Sequence, residues 1–279
     1  MVAGSFHGVG PTTEFNLRVS AATLSRVTFS VPDRAETLLA LEHVATVLSN
    51  PSDPEVRVRA QPFGGAVRLL DPSWLHETAG GFHFDSERSR SEGDFRVFIR
   101  DSSCSRVLRH CREELMRAES GVIDADPTRE LVEEFVDSLG FQLQPRQYSL
   151  QFKGLVLEDQ PTATESVRAP GQPTVRLYTI HNVIIDDDNL CRLLARLQGR
   201  QSTVALRKAT LDDVKAGGRG RANGILVLPL AKVRDAYQAL SPQERGEPMG
   251  LAGTVLDGNV PAILDHLSVA KYERIPVAE

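Results

Sequence analysis

The chain has 279 residues, 41% of them hydrophobic and 25% charged, with a formal net charge of −5. This composition suits a folded domain with a sizeable core, and the negative charge excludes any general attraction to duplex nucleic acid. No apolar run approaches the roughly 18–20 residues that cross a bilayer, and "MVAGSFHGVGPTTEF" has neither the basic start nor the apolar centre of a leader, so a cytoplasmic protein without membrane contact is expected.

In chain order, the first fifteen or so residues, with their Gly and Thr, read as a loose arm. "FSVPDRAETLLALEHVATVLSNPSDP" predicts a helix over 34–48, capped by Asp33 and stopped at Asn50-Pro51. In "EVRVRAQPFGGAVRLLD", Val56, Val58 and Ala60 alternate before a Pro-Phe-Gly-Gly break, which predicts two short strands or one bulged strand. Gly64-Gly65 fits a bulge or tight turn as well as a close backbone approach to a ligand.

"GGFHFDSERSRSEGDFR" sets His83, Asp85, Glu87, Arg88, Arg90, Glu92, Asp94 and Arg96 within fourteen residues and reads as a solvated loop. The run Phe82, His83, Phe84 marks a part of it that packs. "GDFRVFIRD" predicts a strand with Phe95, Val97 and Ile99 on one face. "CSRVLRHCREELMRAE" predicts a helix, with Val107, Cys111 and Leu115 at i, i+4 and i+8. The cysteines Cys104, Cys111 and Cys191 are odd in number, which argues against a disulfide framework. His110 and Cys111 point about 100° apart on a helix and have no CxxC or HxxxH partner, so they do not predict a zinc site.

"DPTRELVEEFVDSLG" (126–140) is the most informative stretch. Asp126 followed by Pro127 starts a helix, because Asp accepts free backbone N–H groups and Pro needs no donor at the first helical position. At about 100° per residue, Leu131, Val132, Phe135, Val136 and Leu139 share one arc, and Glu130, Glu133, Glu134 and Asp137 share another. Such carboxylates repel by roughly 0.2–0.5 kcal/mol per pair, and a hard cation such as Mg²⁺ or Mn²⁺ would relieve them. The helix dipole and Arg129 would also do so, without a metal.

Strands follow in "YSLQFKGLVLE" and "TVRLYTIHNVII", joined by a polar loop over 159–173. Asp187 or Asp188 then caps a helix that ends at Gly199. "GILVLPL" predicts a strand, and helices are expected near 230–240 and 259–268. Strands and helices interleave without strict βαβ periodicity, so the expected class is α+β with a mixed sheet.

"RELVEEF" (129–135) resembles the second half of the Nudix box, G-x5-E-x7-R-E-U-x-E-E-x-G-U, where U is a bulky aliphatic residue. The match at Arg129, Glu130, Leu131, Glu133 and Glu134 is in register. "TVRLYTIHNVIIDDDNLCRLLARL" is similar to the strand and acidic helix start that commonly follow the box. The resemblance implies an α/β/α layered domain over 55–240, with an N-terminal arm and helix over 1–54 and a C-terminal helical extension over 241–279.

It also implies hydrolysis of a nucleoside diphosphate linked to another group, with Mg²⁺ or Mn²⁺ held by Glu130, Glu133 and Glu134. Glu133 or Glu134 would help remove the proton of the attacking water, oriented by Arg129. The box's earlier Glu falls on Gly121, its first Gly on Leu115, and the Gly after the paired acids on Val136. Losses of that kind would suit a rival reading, an inactive domain of the same fold that senses a ligand or binds a protein.

In "AGGRGRANG" (216–224), Arg219 and Arg221 among flexible glycines could hold a phosphate, although no P-loop ending follows. Arg88 and Arg96 could hold an anionic substrate too, and if the box match were accidental, Asp85 or Glu87 beside them would be acid or base. His181 reads as a satisfied interior or edge histidine. The expected partner is a small phosphorylated molecule that contains a nucleotide, and the sequence leaves a homodimer open.

Overall fold

The computed structural model describes residues 15–32, 38–48, 56–61, 63–117, 119–158, 161–164, 169–197, 224–229, 249–251, 254–256 and 272–275. The expected arm, the Asp33 cap and the helices near 230–240 and 259–268 lie outside the described residues, as do Arg219 and Arg221.

In chain order the strands and helices are β1 (Leu17–Ser30), β2 (Leu38–Leu48), β3 (Val56–Gln61), β4 (Phe63–Ala66), β5 (Arg68–Leu69), α1 (Pro72–Ala79) and β6 (His83–Phe84). Next come α2 (Glu87–Glu92), β7 (Arg96–Ile99), α3 (Cys104–Leu115), β8 (Ile123–Asp124), α4 (Pro127–Leu139), β9 (Tyr148–Glu158) and β10 (Thr162–Ala163). The last are β11 (Pro173–Ile185), α5 (Asp188–Leu197), β12 (Gly224–Pro229), β13 (Met249–Leu251), β14 (Thr254–Leu256) and β15 (Tyr272–Ile275).

The helix expected over 34–48 is instead strand β2, which pairs antiparallel with β1, β3 and β12. "LLALEHVATVL" carries a two-residue alternation in Leu39, Leu41, Ala45 and Val47 beside its helical spacing. With a strand on each side to satisfy its backbone, the sheet period prevails over helix propensity. The charged stretch 83–96 is also not a loop. β6 pairs with β7, and Ser86 caps α2 by accepting from the Ser89 N–H at 3.1 Å, while Gly93 closes that helix at φ 71°.

The described residues fall into two compact units. The first is drawn from 1–21, 68–124 and 161–176, and the second from 22–67, 125–160 and 177–279. In the first unit β7 pairs with Leu17–Ser20 of β1 and β5 pairs with β8. Phe95, Val97 and Ile99 are fully buried, as the alternation predicts, and so are Val107 and Cys111 on α3. A buried ion pair joins Arg18 to Asp85 at 2.8 Å.

In the second unit β4 pairs antiparallel with Ala22–Ser25 of β1, and β9 pairs with β11 through a bulge between Ile180 and His181. β14 runs parallel to β3 while β13 and β15 pair antiparallel with their neighbours, so the sheet is mixed and the class is α+β. The core of this unit places Leu131 and Phe135 of α4 and Leu190 and Leu194 of α5 against Phe29, Phe63, Val183 and Ile185. Phe63 and Phe135 stack with centroids 5.5 Å apart. Among the described residues no helix is long and apolar enough to cross a membrane.

Candidate functional site

The start and stop of α4 follow its sequence signals. The Asp126 carboxylate accepts from the Thr128 N–H at 2.9 Å, and Pro127 occupies the first turn. Gly140 ends the helix at φ 64°, its N–H reaching the Val136 carbonyl at 2.8 Å. Leu131 and Phe135 are buried as expected. Val136, placed by its helical angle on the core arc, is 43% exposed, because the buried stripe is narrower than the arc and Val136 lies at its margin. The Asp137 side chain lies outside the described residues.

On the polar side, Arg129 is the hub. Its Nη1 donates to Glu130 Oε1 and lies 3.5 Å from Glu133 Oε2, while its Nη2 donates to the Ala66 carbonyl of β4 at 3.3 Å. The guanidinium therefore bonds the helix to the neighbouring strand while it lies between two carboxylates, offsetting part of their charge. Its Nε is buried and, among the described residues, has no hydrogen-bond partner. The exposures of the two acids differ: the Glu130 side chain is 16% exposed and that of Glu133 is 54%. Glu134 is half-buried.

Gly65 explains the low exposure of Glu130. A Cβ at residue 65 would overlap the Glu130 carboxylate, so the bare backbone of β4 forms the floor on which that carboxylate rests. Gly64 is bare for a different reason, since a Cβ there would overlap the Thr23 carbonyl oxygen of β1. The pair belongs to a regular strand, not to a bulge or turn. Sequence spacing could not join Gly65 to Glu130, because 64 positions separate them. The "PFGG" run was nevertheless the signal that a backbone is closely approached.

Of the other expected site residues, Arg88 pairs with Glu92 at 2.6 Å and Arg96 with Asp94 at 2.8 Å, both in the first unit. The side chain of the candidate acid or base Asp85 is buried against Arg18. Burial alone would raise the Asp85 pKa, but hydrogen bonds from Ser89 and Arg18, the Arg18 charge and the Ser86 hydroxyl outweigh it and hold the carboxyl below its ordinary value. Glu87 lies 3.9 Å from Arg90, with both side chains largely exposed.

His181, in the second unit, differs from expectation. Its Nδ1 is buried with no hydrogen-bond partner among the described residues, and Phe152 lies 5.3 Å from its ring. Burial pushes its pKa down to about 4 against a smaller opposing pull from Asp126, so the ring is neutral at pH 7.

The box helix in register, carried on a mixed sheet with its Arg and first Glu anchored to a neighbouring strand, is matched by a family model. The model of the SMODS-associated NUDIX domain aligns with residues 49–232, about two thirds of the chain. The chain belongs to the SMODS-associated NUDIX domain family. No curated protein and no solved structure matched it significantly.

Within this NUDIX domain, the 68–124 segment of the first unit stands between β4 and α4 in sequence. Gly121, where the box's earlier Glu would fall, lies on an exposed bend of that segment, with no atom within 4 Å of where its Cβ would be. The donor chemistry of Glu130, Glu133 and Glu134 suits a hard cation, but among the described residues no three His, Cys, Asp or Glu side chains converge as a metal centre. Arg129 instead holds two of the three acids. The described side chains therefore do not form a prebuilt centre for Mg²⁺ or Mn²⁺.

Proposed function

We propose that this NUDIX domain recognises a phosphorylated small molecule containing a nucleotide, and that its box helix serves binding and not turnover. The observation that carries this reading is Gly121, which stands on an exposed bend where the box's earlier Glu would fall. Val136, where the box's last Gly would fall, points the same way. Arg219 and Arg221 are the proposed phosphate contacts.

One observation favours a second reading, metal-dependent hydrolysis. Glu133 keeps more than half of its side chain in solvent, and Glu134 follows it in the box register. One or two carboxylates together with the phosphates of a substrate are a common way to bind Mg²⁺ or Mn²⁺. Glu133 and Glu134 are the residues for that role.

The test is calorimetric titration of the full chain with ADP-ribose, a dinucleotide and a nucleotide sugar, with and without Mn²⁺, alongside chromatography for products. Saturable binding without product supports recognition. Product that disappears in both Glu133→Gln and Glu134→Gln establishes the hydrolase instead. Failure to bind any of the three under either condition overturns both readings.

A further inference from the structure

The first unit contains a cavity of about 850 Å³ that the proposed role of α4 does not use. Arg68, Leu70, Pro72, Phe82, Phe84 and Arg90 are among the residues that line it. Its size lies within the roughly 300–1,000 Å³ typical of small-molecule sites. Phe82 and Phe84 meet edge to face at 5.4 Å, and Leu70, which lines the same cavity, is 52% exposed. These groups make an apolar wall in a stretch that otherwise alternates charges.

Charge accounting singles out Arg68. The lining acid Glu92 is bonded to Arg88 at 2.6 Å, and the lining acid Glu87 faces Arg90 at 3.9 Å. Arg68 is half-buried, its backbone is tied to Asp124 across β5 and β8, and among the described residues its guanidinium has no hydrogen-bond or ion-pair partner. Among the described residues the cavity thus offers an arginine with its backbone held in β5 and its guanidinium unpaired, next to aromatic and aliphatic surface. A guanidinium in that setting favours a single anionic group, since its fork of donors fits a phosphate or carboxylate. The carboxylates of Glu87 and Glu92 add acceptors suited to hydroxyl donors.

We infer that this cavity is a second ligand site, for a planar aromatic molecule that bears hydroxyls and one anionic group, of the nucleoside monophosphate kind. The aromatic part lies on the Phe82, Phe84 and Leu70 wall, and the anion lies on Arg68. The site does not depend on what α4 binds.

AMP, adenosine and inorganic phosphate are titrated into the full chain and followed by heteronuclear NMR. AMP is expected to bind saturably and to shift residues of 68–93, with adenosine and phosphate each weaker by about tenfold. Arg68→Met, which keeps the apolar stem, should weaken AMP by about tenfold. Leu70→Glu, an exposed position where folding is not at risk, should weaken it comparably by setting a negative charge at the rim. Shifts confined to the cavity residues, with those of 127–139 unmoved, separate the site from the box helix. Absence of AMP binding at millimolar concentration, or binding unmoved by both Arg68→Met and Leu70→Glu, overturns the assignment.

Discussion

The carboxylate of Glu130 occupies the space that a side chain at residue 65 would need. Gly65→Ala must therefore push Glu130 away from Arg129. Because the displaced group is the end of a flexible side chain, the expected loss is about 1–2 kcal/mol by urea unfolding. The double variant Gly65→Ala/Glu130→Ala should be less destabilised than the sum of the single changes, since the clash is removed. Gly64→Ala meets the Thr23 backbone and has no such escape, so it should cost more than Gly65→Ala, about 2–3 kcal/mol. Equal costs at the two glycines would contradict this account of the strand.

Asp85→Asn leaves Arg18 buried opposite a neutral group. Their side chains are 0% and 4% exposed, so the expected loss is about 3–5 kcal/mol, read from the urea midpoint. The native Asp85 pKa lies below its unfolded value of 3.8, so the pair's contribution is complete above that value and disappears as pH falls through the native pKa. The gap between wild type and Asp85→Asn should accordingly close in acid. A gap independent of pH would show that the carboxylate charge is not what stabilises the site.

For His181 the native pKa of about 4 lies below the ordinary value of 6.5. The neutral ring's contribution is complete above pH 6.5 and declines as pH falls toward 4, because the unfolded chain takes up a proton that the native ring refuses. Wild type should therefore lose thermal stability between pH 6.5 and 4 more steeply than His181→Gln. An NMR titration of the ring with a midpoint near 6.5 would count against burial as the controlling influence.

The three cysteines are free, and burial is the leading cause of the raised pKa at each. Cys104 is pushed up to about 11, so its thiolate is scarce at pH 8. Native protein should react with Ellman's reagent slowly at pH 8, and denatured protein should release close to three equivalents at once. Fast native labelling would place a reactive thiolate where none is expected.

What the sequence made legible was mostly local. Asp126-Pro127 and Gly140 bracket α4 because capping is decided by adjacent residues, and Phe95, Val97 and Ile99 declare β7 through a two-residue period that holds wherever one face is buried. β2 reads as a helix in sequence because Leu39, Leu41, Ala45 and Val47 satisfy the strand period while their neighbours also satisfy the helical one, and only the distant strands β1, β3 and β12 decide between them. The acids of the box were visible as letters. Their anchoring was not, since the Ala66 carbonyl and the bare Gly65 lie more than sixty positions away from Arg129 and Glu130. The Arg88–Glu92 pair could be read from its i,i+4 spacing, whereas Arg18–Asp85 could not be read from any spacing.

Each compact unit is assembled from three separated stretches of chain, and the first needs residues 161–176 to complete it. During synthesis on a ribosome, its first and second stretches emerge before the third, while Leu17–Ser20 of β1 wait for β7. The first unit cannot reach its full contact set until residue 176 has left the exit tunnel. Nascent chains arrested before residue 176 should therefore remain sensitive to protease in the 68–124 stretch and become resistant only when longer chains are released.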